Sequence, residues 1–240
     1  MAKIFITGSS TGLGALAAKD LIAMGNEVYL HARNEKRAQD ALNENPQAKG
    51  VVIGDLADLE QVKHVAKQVN ELGQMDVVIE NAGVDSSDSK LTARVNVEAP
   101  YLLTALIKKP KRIIYVDSGM HKGAMLDINN LETNLSYSSS KMALMLLTEY
   151  VARKWPEVIV NAVDPGWVPT RMGGPAANDD LRGGYAGQVW LATSNAPQAL
   201  KSGNCYYHLK LEDYDKRADD PDLQQQLINK LESLTGVKLN

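Results

Sequence analysis

Tyr137-Ser138-Ser139-Ser140-Lys141 sets a phenol and an amine four residues apart, so on a helix both project from one face. A free tyrosine titrates at about 10 and is a poor base at neutral pH, but a neighbouring ammonium stabilises the phenolate and lowers that value. The spacing therefore suits proton transfer, with Lys141 supplying the charge. A second stretch with chemical potential is Thr7-Gly8-Ser9-Ser10-Thr11-Gly12-Leu13-Gly14, which follows an apolar run and opens a helical pattern. Unpaired N–H groups and the dipole at such a helix start favour a pyrophosphate. Gly8 permits the tight turn, Gly12 lets the backbone approach phosphates, and Gly14 allows the helix to pack closely on the strand. Taken singly, each stretch is also what a surface pair or a plain strand-to-helix turn would show; their combination carries the reading.

The elements that must position these residues are legible as an alternation. Short apolar runs at Ile4–Thr7, Val28–Leu30, Val51–Ile53, Val77–Ile79, Ile113–Val116 and Val158–Val163 read as strands buried on both faces, with Cys205–Tyr207 a seventh. Between them lie segments of helical period. Leu13, Leu16, Ala17, Leu21 and Met24 form one stripe ending at Gly25, and Asp58 caps a stripe of Val62, Val65, Ala66, Val69 and Leu72 that ends at Gly73. Asp220-Pro221 opens a final helix with Leu223, Leu227, Leu231 and Leu234, stopped by Gly236. The Gly/Pro-rich stretch Pro165–Gly184 reads as a loop. The pattern predicts an α/β fold of the Rossmann type: a doubly wound parallel sheet of about seven strands with helices on both faces, in a single domain over residues 1–240.

Composition bounds the rest. With 240 residues, 44% hydrophobic and 23% charged, the chain is an ordinary globular one. Twenty-six basic against 29 acidic side chains leave a net charge of −3, which gives no broad cationic surface and argues against a nucleic-acid partner. Cys205 is the one cysteine, and His31, His64, His121 and His208 lack the clustering of a zinc site, so no metal is expected and a reducing cytoplasmic setting fits best. Ile4–Ile6 is too short for a signal segment or a membrane span.

The glycine spacing, Asn81-Ala82-Gly83 after the fourth strand, Asp117-Ser118-Gly119 after the fifth, the Tyr137/Lys141 pair and Asp164-Pro165-Gly166-Trp167-Val168-Pro169-Thr170 after the sixth together resemble the short-chain dehydrogenase/reductase family over nearly the whole chain. The resemblance implies a nicotinamide dinucleotide seated on Gly8, Ser10, Thr11, Gly12, Leu13 and Gly14, with Asp55-Leu56 as the adenine-pocket pair and Asn81, Ala82 and Gly83 against the cofactor. It further implies that Tyr137 exchanges a proton with the substrate oxygen, Lys141 also binds the nicotinamide ribose, Ser118 donates to the oxygen where charge develops, and Asn96 kinks a central helix and supports a proton relay. Pro165, Gly166, Val168 and Thr170 match the element at the nicotinamide end, followed by a glycine-rich lid, Arg171–Pro175, with Trp167 and Met172 as either pocket walls or local packing.

Three departures stand out: Glu80 replaces the usual first asparagine, Asp117 replaces a frequent serine, and Gly123–Leu135 looks like the extra segment of retinol-dehydrogenase-like members. At the second strand's end the chain reads His31-Ala32-Arg33-Asn34, with Ala32 where a carboxylate would select NAD and Arg33 able to pair with a 2′-phosphate, so NADP(H) is the expected cofactor and NAD(H) the less favoured one.

The expected activity is hydride exchange between nicotinamide and a small carbonyl or alcohol substrate, with homodimer or homotetramer assembly implied by the resemblance. Two other readings compete: a non-catalytic NADP-binding sensor or interaction protein of the same fold, and an epimerase or dehydratase, for whose extended substrate domain 240 residues leave little room.

Overall fold

The computed structural model describes residues 1–240. Eight strands form one sheet: β1 (Lys3–Ile6), β2 (Glu27–Ala32), β3 (Gly50–Ile53), β4 (Val77–Glu80), β5 (Arg112–Val116), β6 (Ile159–Asp164), β7 (Asn204–Tyr207) and β8 (Lys210–Glu212). Their order is β3-β2-β1-β4-β5-β6-β7-β8. All neighbours are parallel except β7 and β8, which pair antiparallel.

Strand order reverses between β1 and β4, so the segments leaving these adjacent strands diverge and open a crevice at their carboxyl ends. Eight helices cover the sheet: α1 (Gly12–Ala23), α2 (Glu35–Glu44), α3 (Leu59–Glu71), α4 (Ser89–Ala93), α5 (Ala99–Leu106), α6 (Tyr137–Lys154), α7 (Leu181–Thr193) and α8 (Pro221–Thr235).

The alternation of side chains along each strand sorts the core into two layers. Ile4, Ile6, Val77 and Ile79 meet Ala18 and Leu21 of α1, Ala41 of α2 and Leu191 of α7 on one face. Phe5 and Val78 join Val62 and Val65 of α3, Leu102 of α5, Leu146 of α6 and Leu227 of α8 on the other. The expected caps hold. Asp58 accepts from the N–H groups of Glu60 and Gln61, and Asp220 from those of Asp222 and Leu223. Gly25, Gly73 and Gly236 end their helices at positive φ.

Two elements differ from the sequence reading. The eighth strand returns from β7 through His208, the one non-glycine residue at positive φ. The expected loop 165–184 is instead a loop to residue 180, after which α7 starts: Asp180 caps it by accepting from Gly183 N, and Gly184 lets it approach β6's exit, a Cβ there meeting the Pro165 carbonyl at 3.0 Å. No helix is long and apolar enough to cross a membrane.

Candidate active site

Gly8 leaves β1 at φ +62 against Ala82, whose Cα would stand 2.8 Å from a Cβ on residue 8. Asn81 stitches this contact from the β4 side, donating to the carbonyls of Thr7 at 2.9 Å and Gly8 at 3.3 Å. A Cβ on Gly14 would collide with that same Asn81 amide, so the third glycine serves the packing of α1 on the β4 exit. Gly12, at φ +64, faces open space. Thr11 occupies the N-cap of α1 without a side-chain hydrogen bond to the first turn. By contrast, Asn34, Asp58, Asp88, Ser136, Asp180 and Asp220 all cap their helices with side-chain acceptors. The start of α1 thus presents unanswered N–H groups beside a glycine-lined gap, the donor set a pyrophosphate requires.

Sequence reasoning missed the group that fixes this turn. His31, buried at the end of β2, accepts from Gly8 N at Nδ1 (3.0 Å), and its Nε2 faces the Gly54 carbonyl at 2.9 Å. Both ring nitrogens are therefore used only by the neutral Nε2–H tautomer. Burial lowers the imidazole to about 4, against smaller opposing effects of the Gly54 carbonyl and Asp55. Arg33 is exposed and forms neither hydrogen bond nor ion pair, leaving its guanidinium open at the end of β2. Asn34, expected beside it as a cofactor contact, has its side-chain oxygen committed to capping α2 through Arg37 N at 3.0 Å. Asp55 accepts from Ala57 N at 3.0 Å, and Leu56 is buried in the core.

At the adjoining ends of β4 and β5 the other group converges. Between α4 and α5 the helix makes one π-turn, Arg94–Glu98, and carries Asn96 inward. The Asn96 amide is fully engaged: Oδ1 accepts from Val84 N, and Nδ2 donates to the Val84 carbonyl and to Ser140 Oγ, at 2.8, 2.8 and 3.0 Å. Gly83 lies beside both groups: a Cβ there would stand in ordinary contact with Asn96 Oδ1 at 3.6 Å and Lys141 Nζ at 3.8 Å. Lys141 is 4% exposed and donates to the Val116 carbonyl at 2.7 Å, with its Nζ 5.5 Å from the Tyr137 ring centroid.

Ser118 caps the turn after β5, its Oγ accepting from Met120 N at 3.3 Å, and its hydroxyl acts to lower the nearby Tyr137 phenol against the burial that raises it. At the exit of β6, Gly166 N donates to Asp164 Oδ1 at 2.8 Å and Thr170 Oγ1 accepts from Gly173 N at 3.2 Å, while Val168 is buried. Trp167 donates from Nε1 to the Gly173 carbonyl at 2.9 Å, so it staples the loop locally.

The electrostatics correct one expectation. Tyr137 is raised above its ordinary value: burial is the main cause, and the charges of Asp117, Asp164 and Asp85 add to it. Lys141 is itself lowered by burial, with Asp117 and Asp164 opposing, and its ammonium is turned toward the Val116 carbonyl. In the chain by itself Tyr137 is a firmly protonated phenol, a proton donor before it is a base. A cavity of about 540 Å³ reaches this phenol between Asp85–Ser89 and Asn134–Ser138.

An eight-stranded doubly wound sheet with these residues at its switch point defines a short-chain dehydrogenase, and the chain belongs to that family: the short chain dehydrogenase family model matches residues 2–181. It is an oxidoreductase of that class. Among its relatives, the short-chain dehydrogenase chyC of Penicillium rubens is 33% identical over 256 residues, covering 100% of this chain and 99% of that protein. Human retinol dehydrogenase 14 is 29% identical, covering 71% of this chain and 62% of that protein, which supports the retinol-dehydrogenase-like branch. Among solved structures, the NADPH-bound carbonyl reductase from chicken fatty liver superposes with a TM-score of 0.72 at 24% identity, covering 89% of this chain and 99% of that one.

Proposed function

We propose that the chain is an NADP(H)-dependent oxidoreductase that interconverts a small carbonyl compound and its alcohol, working as a carbonyl reductase through Tyr137, Lys141, Ser118 and Asn96. The observation that carries the reading is the convergence of Tyr137, Ser118, Lys141 and Asn96 beside Gly83, next to the open start of α1.

The nicotinamide cofactor fits the residues present. Gly12's open face, the uncapped first turn of α1 and the free hydroxyls of Ser10 and Thr11 would hold the pyrophosphate. Arg33, unpaired at the end of β2 where Ala32 replaces a carboxylate, would take the 2′-phosphate. Asp55 and Leu56 would border the adenine, Asn81, Ala82 and Gly83 the ribose side, and Pro165, Gly166, Val168 and Thr170 the nicotinamide end. The NADPH in the chicken carbonyl reductase and the NADP in the Pseudomonas aeruginosa protein RhlG, a structural neighbour, support the same choice. When bound, the dinucleotide supplies or receives the hydride.

The chain's own part is the proton. As a carbonyl is reduced, negative charge gathers on its oxygen; Ser118 donates a hydrogen bond there and Tyr137 gives up its O–H proton, leaving an alcohol and a phenolate. The buried Lys141 ammonium stabilises that phenolate. Asn96, held on Val84 and Ser140, fixes the helix around the lysine and supports its reprotonation. A phenol raised by burial retains its proton until the substrate oxygen takes it, which is the protonation state carbonyl reduction requires. Assembly as a homodimer or homotetramer in the cytoplasm belongs to the same proposal.

The test is Tyr137→Phe assayed with NADPH and a panel of aldehydes and ketones. Turnover should disappear while NADPH binding, read by its fluorescence, persists; unchanged carbonyl reduction in the variant refutes the assignment.

A further inference from the structure

The cavity of about 540 Å³ that reaches the Tyr137 phenol lies between the loop leaving β4 and the segment entering α6, and two kinds of polar side chain line it. One kind builds the walls. Ser86 Oγ accepts from Asp88 N, Ser136 Oγ caps α6 by accepting from Ser139 N, and Ser89 Oγ accepts from Leu135 N, each at 3.1 Å, the last bond tying the two rims together. The other kind is uncommitted: the side chains of Asp85, Ser87, Asn134 and Ser138 form no hydrogen bond or ion pair within the chain. Their carboxylate, amide and hydroxyl groups are left for whatever enters the cavity.

Asp85 is presented from a fixed point. Its neighbour Val84 is held at both its N–H and its carbonyl by the Asn96 amide, at 2.8 Å each, so the exposed carboxylate stands one residue beyond a clamp. No lysine, arginine or histidine lines the cavity with it. Lys90 of α4 and Arg94 of the π-turn that follows are already answered by Glu132, at 3.9 and 3.3 Å. The cavity therefore carries one anion without a counter-ion. An apolar substrate would cover Asp85 and the free hydroxyls without replacing their water, which costs free energy. An anionic one would meet a like charge with no cation to offset it. A positively charged nitrogen meets the carboxylate, and oxygens of Ser87, Asn134 and Ser138 can accept from N–H or O–H groups beside it.

We propose that this cavity binds the substrate and takes a carbonyl compound that carries a cationic nitrogen, with Asp85 as the residue that selects the charge. The inference rests on the functional reading above, which puts the reacting carbonyl at Tyr137 and Ser118; Asp85 decides which carbonyl compounds are held there. Its selection works in both directions, attracting a cation and repelling a carboxylate, and the repulsive half needs no close fit.

The experiment compares three aliphatic aldehydes of one chain length in the full chain with NADPH: one ending in trimethylammonium, its uncharged tert-butyl isostere, and one ending in a carboxylate. The quaternary nitrogen cannot condense with the aldehyde. At low salt kcat/KM should favour the ammonium compound over its isostere about tenfold and disfavour the carboxylate by about as much, with the spread shrinking as ionic strength rises. Asp85→Asn should bring the ammonium-to-isostere ratio to about one, and Asp85→Lys should invert the order. A parent chain that takes the isostere as readily as the ammonium compound overturns the inference, and so does an Asp85→Asn variant that keeps the preference or lowers all three rates alike. Calorimetry with NADP⁺, which has no hydride to give, reads the same order as binding without turnover. If the order holds there while neither these aldehydes nor the panel of aldehydes and ketones is reduced, the functional reading fails and the charge selection stands; if reduction proceeds without the order, only this inference fails.

Discussion

Replacing Glu80 by Gln should stabilise the protein in a pH-dependent way. Glu80 ends β4, paired in register with Tyr115, and is 3% exposed. Its Oε2 has one weak partner, Thr7 Oγ1 at 3.4 Å, and its Oε1 has none. Burial raises the carboxyl from 4.5 to about 8, the Thr7 contact opposing only slightly. Between these values the unfolded chain has released the proton while the folded chain keeps it, so stability falls as pH rises from 4.5 toward 8. At pH 7 the cost is about 3 kcal/mol, from roughly 2.5 pKa units at 1.36 kcal/mol each. Glutamine keeps the shape and a donor but cannot ionise. Calorimetry should show Glu80→Gln melting about 10 °C above the parent at pH 7, from about 2–4 °C per kcal/mol at this size, with the gap closing toward pH 5. A gap that is absent, or constant from about pH 5 to pH 8, would refute the reasoning that a protonated acid is stored beside the glycine turn.

Two further outcomes follow from the cofactor end. His31 is held at about 4 by burial against an ordinary 6.5, so stability is lost as pH falls through that interval, by about 3 kcal/mol in all. His31→Ala should abolish this acid limb and, by freeing Gly8 N, weaken NADPH binding about tenfold in a fluorescence titration. Arg33→Ala should raise KM for NADPH about 10- to 100-fold, the worth of charge-assisted hydrogen bonds to a phosphate, while leaving KM for NADH unchanged; equal loss for both cofactors would remove the 2′-phosphate assignment.

Features written in local chemistry were legible in the sequence. Caps at Asp58 and Asp220, stops at Gly25 and Gly236, and the one-turn spacing of Tyr137 and Lys141 each depend on residues a few positions apart, and the structure has them where the pattern put them. Hidden features depend on pairs far apart along the chain. His31 reads as one polar residue in an apolar strand, and only the parallel register of β1, β2 and β3 carries its two nitrogens to Gly8 and Gly54. The β7–β8 return has no glycine or Asn-Gly to announce it, because His208 supplies the positive φ and stacks on Tyr207 with centroids 4.0 Å apart.

The sign of the Tyr137 shift was the least accessible feature, and the reason is instructive. Spacing along α6 places a cation near the phenol, but the charge balance at that phenol is set by residues the helix does not contain: Asp117 just after β5, Asp164 from the end of β6 and Asp85 from the loop after β4. A sequence lists the ammonium that a neighbour would supply; only the sheet decides how many carboxylates share its enclosure. Here burial, with the charges of Asp117, Asp164 and Asp85 adding to it, raises a phenol whose neighbouring lysine is itself desolvated, so the phenol waits as an acid. On the proposed mechanism, proton transfer is drawn out by the negative charge forming on the substrate oxygen, which couples the loss of the phenol's proton to the reduction itself.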